Sequence, residues 1–311
     1  MSKKDPQTRS IDLMKSWALK SGYPLENDVE AVLKGLVGEP GIERDFEFSA
    51  KNEEGESAIR SVDFRCTFTF SGKTLPGKWS PGAAASIVFL IDAKYSEDET
   101  LWFVPSSAKR PQRFPHLVPV ATVKDYGMDV RVFSDSLTKA GDVPQEWAFS
   151  SGGRKVKEQS RERNSLADCQ IQMVGAVHAS IEADARLLGI PDARTSAYSH
   201  NASVYVPIVV TNAPMYLLNE GISSANVDSA STETEIAQKT DVVLVSQPNI
   251  FHVKEALGRL SQTINNLSNR NLTWVNQDLT AFPVIFSHVG SLKAVVEFLV
   301  GQFSVAASGL K

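Results

Sequence analysis

The stretch Ser86-Ile87-Val88-Phe89-Leu90-Ile91-Asp92-Ala93-Lys94-Tyr95 constrains the fold more than any other segment of the chain. From Ile87 to Ile91 it offers water no polar side, so as a strand it belongs inside a sheet covered on both faces. Strand side chains alternate, which puts Asp92 and Lys94 on one face and Ala93 on the other. A carboxylate and an ammonium then stand side by side at the rim of a core. A strand-end ion pair accounts for such a triplet by itself, and a site requires further residues.

With 311 residues, 42% hydrophobic and 22% charged, the chain has the composition of a globular protein that buries a substantial core. Two cysteines, Cys66 and Cys169, are too few for a disulfide framework, and no Cys/His cluster has zinc-site spacing. A reducing cytoplasmic setting is expected. The N-terminal Met1-Ser2-Lys3-Lys4-Asp5 leads into a polar amphipathic segment rather than a signal-peptide core. Ala281 to Val300 is the nearest membrane candidate, but His288, Lys293 and Glu297 interrupt it, so it reads as a strand and an amphipathic helix and no membrane partner is expected. The net charge of −4 argues against indiscriminate nucleic-acid binding and leaves room for a local basic cleft. Lys109, Arg110 and Arg113 form one basic group, and Arg154, Lys155, Lys157, Arg161 and Arg163 another. The second reads either as a solvated loop or helix face, or as a phosphate clamp just before a helix.

Periodicity predicts the order of elements. Ile11, Met14, Trp17 and Ala18 give residues 7–20 a weak helical pattern, and Leu25, Val29, Val32, Leu33 and Leu36 define an amphipathic helix that ends near Gly38. Glu26 and Glu30 lie one turn apart on it. Strands are predicted over Arg44 to Ala50 and Ser61 to Phe70, where Phe64, Cys66, Phe68 and Phe70 alternate with Asp63, Arg65, Thr67 and Thr69. The strand ending at Asp92 follows. Residues 97–155 read as an insertion or a sheet extension, with strand-like pieces at Leu101 to Val104, Leu117 to Val123 and Val130 to Phe133. A helix from Arg161 to Leu188 and a strand from Val204 to Leu218 come next. The C-terminal part, residues 219–311, reads as an α/β extension: a polar, mobile loop from Ser223 to Thr234, short helix Glu233 to Lys239, strand Val242 to Ser246, helix Phe251 to Leu267, strand Phe282 to Ser287 and helix Leu292 to Phe303. One domain spanning 1–311 is expected.

The succession helix, three strands, helix, strand from residue 25 to 211, with these acids and this lysine, resembles the PD-(D/E)XK nuclease superfamily. The resemblance implies an α/β, restriction-endonuclease-like core: a central mixed sheet flanked by helices. It also implies a metal site formed by Asp63 in Val62-Asp63-Phe64 and by Asp92 and Lys94 in Asp92-Ala93-Lys94, with the Ala93 carbonyl as a further oxygen ligand. Glu26 is the helix acid that matches, with Glu30 in reserve. Val62 stands where the superfamily's name-giving proline often stands. The activity implied is Mg²⁺-dependent phosphodiester hydrolysis, with Mn²⁺ as an alternative, and DNA as the nucleic-acid partner. A homo-oligomer is compatible with the sequence.

The residue types suit that chemistry. Cleavage adds negative charge to an anionic phosphate, and two carboxylates hold a cation that offsets it. Lys94 would orient a water or stabilise the oxyanion. A nuclease-like domain without catalysis, binding nucleic acid or a protein partner, is the alternative. Gln170 and Gln172 on the later helix read as a solvated face with a secondary option of reaching the cleft. His178 reads as a core histidine. Ser246 lacks a Gly-x-Ser-x-Gly setting, and no Walker A or dinucleotide-binding glycine pattern is present.

Overall fold

Leu25, Val29 and Leu33 recur every fourth residue in the helix Tyr23–Lys34 (α1), and all three are buried. Pro24 sits at its start and Glu26 in its first turn, while Lys34 in the last turn complements the helix dipole. Gly35 ends the helix, three residues before the expected stop at Gly38. The computed structural model describes residues 13–18, 20–51, 57–71, 83–96, 99–105, 120–123, 142–157, 166–188, 199–246, 262, 272–274 and 283–308.

The strands are β1 (Gly41–Lys51), β2 (Ser57–Ser71), β3 (Ala83–Lys94), β4 (Glu99–Pro105), β5 (Val120–Val123), β6 (Ala148–Lys157), β7 (Ser199–Thr211), β8 (Met215–Leu218), β9 (Ala237–Lys239), β10 (Val242–Ser246), β11 (Leu272–Trp274) and β12 (Pro283–His288). The helices after α1 are α2 (Leu166–Leu188), α3 (Ser224–Ser229), α4 (Glu233–Ile236) and α5 (Leu292–Ser308). One mixed sheet runs in the order β1-β2-β3-β7-β12-β10-β6-β4-β8-β9, with β5 pairing β7 and β11 pairing β5. The first three strands form an antiparallel meander, β7 lies parallel to β3, and β12 lies parallel to β7.

The apolar run of β3 behaves as its composition dictates. Ala85, Ile87, Phe89 and Ile91 enter a core that includes Val29 and Leu33 of α1 and Val295, Leu299 and Phe303 of α5. Val88 and Leu90 enter a second core against Met173, Val174, Val177 and Ile181 of α2. Burying both faces lets the strand dispense with polar alternation. The result is a mixed α/β fold with a central sheet flanked by helices.

The β1–β2 ribbon changes faces along its length. Ile42 and Phe64 belong to the α1 side, whereas Phe46, Phe48 and Val62 belong to the α2 side, although the parity of their positions would keep them together. Between the register pairs Arg44↔Phe64 and Phe46↔Val62 stand Asp45, with φ 50°, and Asp63. A left-handed residue within a strand supplies the local twist for such a switch.

Several expectations require correction. Val204 to Leu218 is two strands, because Asn212 to Pro214 turns the chain out of the β7 ladder before β8. Arg154, Lys155 and Lys157 lie in β6, paired with β4 and not on a loop or helix face, because their stretch completes the Glu99–Lys157 ladder. The segment Ser223 to Thr234 is no loop: Ser223 and Asn226 form a capping box that starts α3, and α4 begins at Glu233. The later part of the expected Glu233 to Lys239 helix is strand β9. Of the two readings of residues 97–155, the sheet extension holds: β4, β5 and β6 join the same sheet as the C-terminal strands, with β12 and β10 between β7 and β6. The helix expected over Phe251 to Leu267, apart from Gln262, and the strand at Val130 to Phe133 lie outside the described residues.

Candidate functional site

β2 and β3 stop pairing at Phe64↔Ile91, and the next positions are Asp63 and Asp92. There a side chain takes over from the backbone ladder: the Ala93 N–H donates to Asp63 Oδ2 at 2.5 Å. This brings the two sequence-predicted acids together at the carboxyl end of β3, beside the end of the parallel strand β7, whose last partner is Lys94↔Thr211. Carboxyl ends of parallel strands are where α/β sheets commonly place their ligands.

Asp92 is a buried carboxylate, its side chain 3% exposed, and Lys94 Nζ lies 2.7 Å from its Oδ2. The alternation expected from the sequence therefore holds at the strand end. The Lys94 ammonium is thus the ion-pair partner of this buried oxygen. Burial pushes the Asp92 carboxyl up to about 6, with Lys94 opposing and the neighbouring Asp63 reinforcing the shift. Burial also raises Asp63, against the Ala93 N–H and Lys94, which favour its anion. At Lys94, burial favours the neutral amine, but Asp92 outweighs it and raises the pKa of the ammonium.

The helix acids stand further out. Glu26 pairs with Arg44 at 3.6 Å, and Glu30 pairs with Lys34 at 2.9 Å and Arg44 at 3.3 Å. Burial and then Asp63 raise the Glu26 carboxyl, so Glu26 is within electrostatic reach of Asp63. Glu30 is held by two cations. Asp45 adds negative charge near both Glu26 and Asp63, a neighbour that nothing in its sequence setting announces.

Helix α2 closes the site from the other side. Gln170 is buried and donates to the Val245 carbonyl at 3.4 Å, and Gln172 donates to the Ser61 carbonyl at 2.7 Å, so neither belongs to a free solvated face. Each glutamine ties the helix to a strand. Cys169 lies close enough to Lys94 to favour its charged form. His178 is not a core residue: it is 29% exposed and faces Glu182 at 3.6 Å, one turn along the same helix. Further along α2, Asp184 accepts from Arg65 at 2.6 Å and from the fully buried Tyr205 hydroxyl at 2.7 Å. Arg65 also donates to Ser180 at 2.9 Å, and this polar network pins α2 across β2 and β7.

Among the described residues, no three His, Cys, Asp or Glu side chains converge to hold a metal ion by themselves. Two neighbouring carboxylates, one of them buried, still suit Mg²⁺, which keeps several waters and commonly takes only one or two protein carboxylates. The basic group Lys109, Arg110 and Arg113, together with Arg161 and Arg163, lies outside the described residues. No helix among the described residues is long and apolar enough to cross a membrane. Comparison with known protein families, curated proteins and solved structures finds no match to this chain.

Proposed function

We propose that the chain is a divalent-metal-dependent nuclease that hydrolyses phosphodiester bonds in DNA, built on a restriction-endonuclease-like core. The observation that carries this reading is the meeting of Asp63 and the buried Asp92 carboxylate beside Lys94. The order β1-β2-β3-β7, antiparallel through β3 and then parallel, supports the core proposed, as do α1 and α2 on opposite faces.

In this reading Asp63, Asp92 and the Ala93 carbonyl hold Mg²⁺ or Mn²⁺, and Glu26 supports the site from α1. The bound cation supplies charge neutralisation and a more acidic water. The protein's own part is positional and electrostatic. The 2.7 Å contact between Lys94 and Asp92 supports a role for the ammonium in orienting the attacking water or stabilising the oxyanion. Asp63 holds the strand end through the Ala93 N–H, so the lysine and the acid move as one unit.

The test is cleavage of DNA in the presence of Mg²⁺ by the wild-type chain and by Asp92→Ala and Lys94→Ala variants. Loss of cleavage in both, with the fold intact by circular dichroism, is the expected result. Undiminished metal-dependent cleavage by both variants overturns the assignment. Calorimetry that finds no Mg²⁺ or Mn²⁺ site dependent on Asp63 and Asp92 points instead to a catalytically inactive, nuclease-like binding domain.

A further inference from the structure

We propose that Asn212 is a positioning residue for the site, holding the strand end that carries Asp92 and Lys94; this rests on the nuclease reading above. Backbone pairing between β3 and β7 ends at Lys94↔Thr211. One residue further on, the Asn212 carboxamide takes over: the Ser96 N–H donates to Asn212 Oδ1 at 2.8 Å, and Asn212 Nδ2 donates to the Ser96 carbonyl at 2.9 Å. A carboxamide carries the same donor and acceptor as a peptide group, so this side chain continues the ladder past the end of its own strand.

The clamp is itself anchored. Thr211, which is buried, accepts the Ala213 N–H through its hydroxyl at 3.0 Å, closing the turn in which Asn212 sits. Ser96 is 7% exposed, so losing these two main-chain bonds costs more there than at a surface position. Across the strand, Asp63 performs the corresponding service for Ala93. The end of β3 is thus held by one side chain on each flank. Asp63 belongs to the chemistry, whereas Asn212 reaches it only through the backbone of residues 94–96. Asparagine is the residue that fits: aspartate keeps the acceptor but sets an anion against the Ser96 carbonyl, and alanine removes both bonds.

The experiment uses the full chain with Asn212→Ala and Asn212→Asp, and Asn219→Ala as a control whose carboxamide donates to the Thr234 carbonyl at 2.9 Å, outside the site. Steady-state DNA cleavage with Mg²⁺ and hydrogen exchange of the Tyr95 and Ser96 amides are both measured. Asn212→Ala is expected to lower kcat at least about tenfold at nearly constant KM, since a displacement of about 1 Å at a reacting group costs up to about a hundredfold. It also speeds exchange at Ser96, Asn212→Asp falls between it and wild type, and Asn219→Ala changes neither readout. Wild-type kcat in Asn212→Ala, or unchanged protection of Ser96, overturns the proposal. A wild-type chain that neither cleaves DNA nor binds Mg²⁺ defeats the nuclease reading, and with it the positioning role, while Ser96 exchange still reports whether the clamp exists.

Discussion

The carboxylate of Asp63 accepts the backbone N–H of Ala93 at 2.5 Å, at the point where β2 and β3 cease to pair through their main chains. A side chain on one strand therefore sets the position of the neighbouring strand's terminal residues. The same carboxylate carries charge into the site, so its structural and chemical contributions separate only in a variant that keeps the acceptor and discards the charge.

Asp63→Asn is that variant. Its carboxamide oxygen still accepts from Ala93, so the melting temperature stays within a few degrees of wild type. Mg²⁺-dependent cleavage falls by about a hundredfold or more, as expected when a preorganised electrostatic group is lost. Parallel melting and cleavage assays check both halves.

Asp92 gives a pH dependence of definite sign. Its folded-state pKa, raised by burial to about 6, lies above the unfolded value, so the native state binds more protons between roughly pH 4 and pH 6. Its contribution favours folding below that window and is lost as pH rises through it. The loss is of order 3 kcal/mol by linkage. In metal-free protein, Asp92→Asn flattens the stability profile from pH 4 to pH 6, and added Mg²⁺ stabilises wild type above pH 6 but not the variant. Urea titrations across this range measure both effects.

Lys94→Met separates the ammonium from its aliphatic stem. Removing the counter-charge leaves Asp92 buried and unpaired, but Lys94 is 39% exposed and solvent screens part of the interaction, so the cost is about 1–3 kcal/mol. Cleavage is abolished at temperatures where the variant remains folded. Protonating Asp92 removes the mismatch, so the stability deficit shrinks below pH 6.

Asp184→Ala tests the network that pins α2. It removes the acceptor of the buried Tyr205 hydroxyl and the shorter of Arg65's two ion pairs, at a cost of about 1–3 kcal/mol in urea unfolding. Well below its lower melting temperature the variant keeps wild-type kcat, because the network touches none of the site residues.

Cys169 offers an independent probe of the site from the helix side. It is a partly exposed cysteine outside any disulfide and within electrostatic reach of Lys94. Alkylation with a bulky maleimide blocks cleavage, and Cys169→Ala is active and resists the reagent. Mass spectrometry of the modified chain confirms the position.

Much of this arrangement was legible in the sequence because it depends on short-range alternation. Ile87 to Ile91 has no polar face, so its two-sided burial followed directly, as did the shared face of Asp92 and Lys94. The Phe64 to Phe70 alternation likewise revealed a strand with one apolar face. What stayed hidden depends on pairing at long range. Asn212 looks like part of a single strand until β7 and β8 are seen to take different partners. Nothing local marks Asp45 as the point where the ribbon changes faces, since aspartate has only a modest preference for positive φ. The capping box Ser223-x-x-Asn226 was a readable signal, outweighed by the polar composition around it.

The placement of β12 and β10 between β7 and β6 has a consequence for biosynthesis. The meander and β7 can assemble while the chain is still emerging, but β6, β4 and β8 cannot join them until residues 242–288 have been made. The two halves of the sheet wait for a wedge that arrives last. Until then the Ile208–Thr211 end of β7, beyond the part paired with β5, presents an open apolar edge, the condition under which a nascent chain pairs with the wrong neighbour. A chain stopped before residue 242 is therefore expected to retain the residues of the site and yet accumulate as aggregate, with chaperone demand concentrated while residues 242–288 are being made.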